Sequence, residues 1–106
     1  MIHLTAKTAI QIAIEPVDFR KQIDGLVSLC QNRLKQETQT GVFFVFINRA
    51  KTMIRILAYE NNGYWLATKR LSRGRYRGWP KAKERLSQFE AAKLVNLLKG
   101  TFEEAE

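Results

Sequence analysis

Residues 42–71 read VFFVFINRAKTMIRILAYENNGYWLATKRL, three apolar runs separated by two short polar turns. The runs 42–48, 53–60 and 64–71 are strand-like. The intervening Asn48-Arg49-Ala50-Lys51 and Asn61-Asn62-Gly63 have turn chemistry, so each run should double back on the one before it as an antiparallel meander. In the first run Phe43, Phe44, Val45, Phe46 and Ile47 are apolar at every position. That pattern suits a central strand covered on both faces. In the second run Ile54 and Ile56 share one face, and Met53, Arg55, Leu57 and Tyr59 share the other. Arg55 is the outlier, and the sequence leaves open whether it sits at a solvated rim or pairs with an acidic neighbour.

Upstream, Ile10, Ile12 and Ile14 alternate with Gln11, Ala13 and Glu15, the period of a half-buried strand, and Pro16 removes the donor needed to continue it. Asp18 is a good N-cap for a first helix. Its apolar stripe of Phe19, Ile23, Leu26, Val27, Cys30 and Leu34 would carry that helix to about Lys35. Gly25 within it costs about 1 kcal/mol relative to Ala, which predicts a close approach by another element. Cys30 lies on the stripe and reads as a small core hydrophobe. Downstream, Ser87-Gln88-Phe89-Glu90 has the form of a capping box opening a second helix. Phe89, Leu94, Val95, Leu97 and Leu98 supply its apolar face and Gly100 its stop. The expected fold class is α+β: a mainly antiparallel sheet of about four strands, an N-terminal helix packed on it, and a C-terminal helix after a basic loop. Residues 1–100 are expected to form one compact domain and 101–106 an acidic, frayed tail.

The chain has 106 residues, 18 Lys+Arg against 10 Asp+Glu, and a formal charge of +8. Hydrophobic residues make up 45% and charged residues 26%, the balance of a globular domain with a core. The longest apolar run, 42–47, falls far short of the roughly 20 residues that span a bilayer. No charged region followed by an apolar one opens the chain, so a cytoplasmic protein without a membrane partner is expected. One cysteine and one histidine exclude an internal disulfide and a Cys/His zinc site. No cofactor is called for.

The charge is concentrated. Residues 69–85 hold Lys69, Arg70, Arg73, Arg75, Arg77, Lys81, Lys83 and Arg85 against Glu84 alone, which is +7 of the total +8. Clustered cations of one sign repel one another unless an anion is present, and a polyanion rewards them through counterion release. These eight residues are the candidate DNA contacts, and Arg49 and Lys51 in the first hairpin turn are candidate extensions of the patch. Within the same stretch Tyr76 and Trp79 have two possible uses, stacking on bases or anchoring the loop in the core. Trp79 favours the core. The carboxylates Glu15, Asp18, Asp24, Glu37, Glu60, Glu84 and Glu90 show no spacing that gathers them around metal ions. His3 has no partner at a catalytic spacing, and no phosphate-binding glycine loop is present. An enzyme is not expected.

Six blocks in register carry a resemblance. They are Pro16-Val17-Asp18-Phe19-Arg20-Lys21, Ile23-Asp24-Gly25-Leu26, Gly41-Val42-Phe43-Phe44-Val45-Phe46 with Asn48-Arg49, Ile54-Arg55-Ile56-Leu57, Asn62-Gly63-Tyr64-Trp65-Leu66 with Lys69-Arg70-Leu71, and Arg73-Gly74-Arg75-Tyr76 with Trp79-Pro80. Together they resemble the TnpB accessory proteins of the bacterial insertion sequence sixty-six family. These are distinct from the RNA-guided nucleases of the same name, for which the chain is far too short. The sequence departs from the family at Gln36-Glu37-Thr38-Gln39-Thr40, where members commonly have an Asp-Pro turn, and at Gly78, an extra residue. The resemblance implies a helper of DNA transposition encoded beside a separate DDE transposase, with transposon-end DNA, the transposase and other element-encoded proteins as partners. It supplies no catalytic residues. The expected function is a non-catalytic accessory protein binding DNA through residues 69–85; the alternative is a module that docks on the transposase without touching DNA.

Overall fold

The computed structural model describes residues 5, 7–81, 86–89, 91–99 and 102–103. The three central runs form the expected meander: β2 (Phe43–Ile47), β3 (Met53–Glu60) and β4 (Gly63–Arg70) pair antiparallel in order. The strand β1 (Ile10–Ala13) joins the other side of β2, but in parallel, with Ile10 opposite Phe43 and Ile12 opposite Val45. A further strand, β6 (Leu86–Phe89), adds antiparallel to β1, giving a five-stranded mixed sheet ordered β4-β3-β2-β1-β6. The parallel pair is the departure from a purely antiparallel sheet. It follows from the helix α1 (Ile23–Asn32) crossing over between β1 and β2, a connection that returns the chain in the same direction.

The sheet separates two apolar clusters. On one face Phe44, Phe46, Leu57 and Ala13 meet Leu26 and Cys30 of α1. On the other, Ile10, Ile12, Val45, Ile47 and Ile54 meet Leu94 and Leu97 of α2 (Ala91–Lys99), together with Tyr76 and Trp79. The strand β2 is thus central and covered on both faces, as its uninterrupted apolar run predicted. The strand β1 was expected to be half-buried and is instead covered on both sides, because Ala13 points at α1 while Ile10 and Ile12 face α2. Each fully buried Phe or Ile contributes about 1.5–3 kcal/mol, so β2 is the energetic centre of the sheet. Cys30 is buried in the α1 cluster, and that burial pushes its thiol up to about 12.

Three local expectations are corrected. Asp18 does not cap α1: the helix begins at Ile23 with Gln22 as N-cap and no side-chain cap. Residues 18–21 close a turn instead, with Lys21 N donating to Asp18 O at 3.1 Å, while the Asp18 carboxylate accepts from Arg20 N at 2.9 Å. The carbonyls of Phe19 and Lys21 are taken by Arg55 of β3, at 2.7 and 2.8 Å, so they are withdrawn from any helical ladder. Nor does α1 reach Lys35, whose left-handed φ of 56° reverses the chain, with Gln36 N closing on Cys30 O at 2.8 Å. Of the Ser87–Glu90 capping box, residues 87–89 are strand, and Glu90 lies outside the described residues. Ser87 lies opposite Ile12 within β6, since the free edge of β1 offers a four-residue ladder that outweighs one local cap. Helix α2 nonetheless forms from Ala91, with Leu94 and Leu97 buried. Phe89 sits in the strand rather than on the helical stripe, and Gly100 lies outside the described residues.

Gly25 is explained locally and not by a neighbouring element: a Cβ there would lie 3.0 Å from Cβ of Lys21, in the turn that enters the helix. Of the expected tail, 102–103 are described, and they form β7 (Phe102–Glu103) against β5 (Arg75–Tyr76) in a small second sheet.

Candidate nucleic-acid interface

One end of the main sheet collects the C-terminal end of β2, the start of β3 and the end of β4. The turn joining β2 to β3 is tightly fastened. Asn48 Oδ1 accepts from the backbone N–H of Thr52 at 2.9 Å and of Met53 at 3.0 Å, and its amide donates to Thr52 Oγ1 at 3.0 Å. Lys51 adopts a left-handed φ of 62°, and its N–H donates to Asn48 O at 3.0 Å. Arg49, Ala50 and Lys51 are left exposed at the tip.

The basic segment is sewn to that turn. Leu71 N donates to Thr52 O at 2.9 Å and Tyr76 N donates to Lys51 O at 2.8 Å. Arg49 and Lys51 therefore sit beside the cationic stretch that begins some twenty residues later in sequence. Arg70, at the end of β4 opposite Met53, and Arg73, Arg77 and Lys81 are exposed, while Arg75 is half-buried on β5. Lys51 and Lys81 line one concavity with Trp79 and Pro80. Lys69 is used differently: its Nζ donates to the carbonyl of Leu98 at 2.7 Å, and a cation at the C-terminal end of a helix is favoured by the helix dipole. Lys83 and Arg85 lie outside the described residues.

The two aromatics of the segment belong to the core. Trp79 is 9% exposed and its indole N–H donates to Ala13 O at 3.0 Å, as its apolar surroundings favoured. Tyr76 is buried beside it, its hydroxyl has no hydrogen-bond partner among the described residues, and burial raises its pKa.

Two arginines absent from the expected set also reach this end. Arg20 and Arg55 line a second concavity with Arg49, Phe19 and Asp18. Arg20 grips the Asp18 carboxylate with its fork, Nη2 to Oδ2 at 2.6 Å, and holds that carboxyl down at about 2 through these hydrogen bonds. Arg55 is partly buried, lines this open concavity, and pairs with no acid among the described residues. Its Nε donates to Thr68 Oγ1 at 3.0 Å, its Nη1 to the carbonyls of Phe19 and Lys21, and its guanidinium lies 4.7 Å from the Phe19 ring centroid. A charged residue within an apolar strand was the available signal for Arg55. Nothing comparable marked Arg20, since only folding brings the 18–21 turn to the hairpin.

Among the described residues no group of three or more His, Cys, Asp or Glu is placed to hold a metal ion, and no helix is long and apolar enough to cross a membrane.

Comparison with known proteins shows the family of the chain. The model of the IS66 Orf2-like proteins matches residues 8–105. An uncharacterised protein of Sinorhizobium fredii, y4jC, is 34% identical over 76 residues, covering 72% of this chain and 65% of its own length. A second from the same organism, y4hO, is also uncharacterised and is 34% identical over 89 residues, covering 84% of this chain and 76% of the relative. No solved structure matches the chain. The matched span runs from ahead of β1 through β7 and takes in the fastened turn and the basic segment, so the chain belongs to the IS66 accessory TnpB (Orf2-like) family of transposition-associated proteins.

Proposed function

We propose that the protein is a non-catalytic accessory factor that binds transposon DNA through the basic end of its sheet. The observation that carries this reading is the pair of backbone bonds from Leu71 and Tyr76 to Thr52 and Lys51. They join the cations of the hairpin turn and those of the 70–81 stretch into one surface on an otherwise nearly neutral chain. Arg49, Lys51, Arg70 and Lys81 stand exposed on it, with Arg73, Arg75 and Arg77 alongside. Lys69 contributes by holding α2 in place, and Lys83 and Arg85 extend the segment in sequence. The family is one of accessory proteins rather than a known catalytic family; the partners in this reading are DNA at the element ends, the transposase and other element-encoded proteins, in the cytoplasm.

The test is the salt dependence of binding. Five to eight phosphates neutralised give a slope of log K against log salt of roughly −4 to −7, measured by fluorescence anisotropy with element-end duplexes. A slope near zero, or no binding at low salt, refutes the reading.

A second reading, docking on the transposase without DNA contact, is favoured by Trp65. It is 44% exposed on β4, a strand whose outer edge is unpaired among the described residues. Co-purification with the transposase that survives nuclease treatment supports direct docking, and association lost with nuclease supports the DNA reading.

A further inference from the structure

The acidic end of the chain returns to the basic end of the sheet. Residues 101–106 read TFEEAE and hold three of the ten acidic residues, with no base among them. Lys69 fixes where this stretch departs. Its Nζ bond to the carbonyl of Leu98 pins the last turn of α2 beside the end of β4, next to Arg70. Four residues after Leu98 the chain pairs antiparallel with β5, Phe102 opposite Tyr76 and Glu103 opposite Arg75.

That register sets an acid against the middle of the cationic segment. Arg75 is the central one of three arginines at alternate positions, Arg73, Arg75 and Arg77. Among the described cations of 69–81 it alone is half-buried, while Lys69, Arg70, Arg73, Arg77 and Lys81 are exposed. The cation most withdrawn from water is therefore the one whose ladder partner is a glutamate. Glu104 and Glu106 follow in sequence, and chain connectivity alone keeps Glu106 within about 11 Å of Glu103.

Carboxylates tethered in this way meet the arginines at an effective concentration in the millimolar range, so they compete with any phosphate that approaches. The attachment is also weak. Only two residues pair on each side, and so short a two-stranded ladder is marginal in water, which leaves it open to displacement by a denser polyanion. Duplex DNA, with one charge per about 1.7 Å of axis, is such a polyanion.

Resting on the DNA-binding reading, we propose that the acidic C-terminal segment is an internal competitor: in the free protein β7 holds its glutamates against the 73–77 arginines, and DNA binds by displacing it.

The test follows one labelled duplex by anisotropy through a salt series, with the full chain and two variants. Glu103→Gln with Glu104→Gln removes two charges from the segment. Glu37→Gln with Glu60→Gln removes two exposed charges from the opposite end of the sheet, where Glu60 ends β3 and Thr38 bonds Tyr64 at 2.7 Å. Both variants carry the same net charge, so the general attraction of a more cationic protein for DNA is matched. The first should bind about two- to thirtyfold tighter than the parent at low salt, the contribution of two exposed ion pairs. The gap should close as salt rises, and the matched variant should gain far less. In NMR spectra of the parent, backbone NOEs between β5 and β7 should be present in the free protein and lost at saturating duplex, while those among β2, β3 and β4 persist. Thermal melts check that the variants fold. Equal gains by the two variants, or β5–β7 NOEs that persist in the complex, overturn the internal competitor while DNA binding stands. Failure of all three proteins to bind duplex overturns both.

Discussion

Arg55 shows how one side chain can decide a chain path. Its guanidinium takes two carbonyls of the 18–21 turn region, and a hydrogen bond to a charged group contributes about 1.5–3 kcal/mol. Arg55→Ala is expected to lower stability in urea unfolding by about 2–3 kcal/mol, and Arg55→Lys by less, since an ammonium cannot reproduce the fork. A loss under 0.5 kcal/mol would show that the turn holds itself. Asp18 tests the same region by pH. Its hydrogen bonds to Arg20 lower its pKa from 3.8 to about 2 in the folded state. Any stabilisation it provides is therefore present above about 3.8 and is lost as pH falls through about 2. Carboxyl NMR titration should find its midpoint near 2 in the native protein, rising toward the ordinary carboxylate value in Arg20→Ala; an unchanged midpoint in that variant would assign the shift elsewhere. Neither role was legible in sequence. Asp18 beside an apolar stripe has the local signature of an N-cap, and the competing acceptor needs, on β3, come from a residue over thirty positions away. Cys30 was legible because its environment is its own helix's stripe.

At the scale of elements, what periodicity encodes and what edges decide come apart. The runs of β2, β3 and β4 are read correctly because hairpin partners are adjacent in sequence, and the uninterrupted apolar run of β2 reports directly on its two covered faces. The strand β6 is missed because residues 86–89 carry a capping signature, while the reason they pair is the vacant edge of β1, about seventy residues earlier. Parallel pairing of β1 with β2 is hidden for the same reason: the direction of a crossover is a property of the sheet. The reassignment has a measurable consequence. A true N-cap lost to alanine costs about 0.5–2 kcal/mol, whereas Ser87 stands in a strand and α2 starts only at Ala91. Ser87→Ala should therefore change the unfolding free energy by well under 0.5 kcal/mol. A full 1 kcal/mol loss would restore the cap.

Across the whole molecule the charge could be counted from the sequence, while the fold decides which of the cations come together. The +7 of residues 69–85 could be counted directly. Lys69 turned out to serve α2, while Arg49 and Lys51 became neighbours of the segment through backbone bonds that no composition reveals. Arg20 and Arg55 joined the same end from the opposite face of the sheet. Cations gathered at one end repel one another in the free protein, and an anion that binds only the folded form stabilises it by linkage. At a duplex concentration of a hundred times Kd that linkage is worth about 2.7 kcal/mol, which for a chain of this size raises Tm by about 10 °C. Added monovalent salt at the same ionic strength only screens the repulsion, and should shift Tm by much less. Scanning calorimetry at low salt, with and without duplex, separates a shared anion-binding surface from scattered solvated charges. If the two additions move Tm equally, the cations act one by one and the fused surface is not a binding site; a duplex-specific rise that Arg49→Ala and Arg70→Ala each reduce would show that both sides of the Lys51–Tyr76 junction hold the same polyanion.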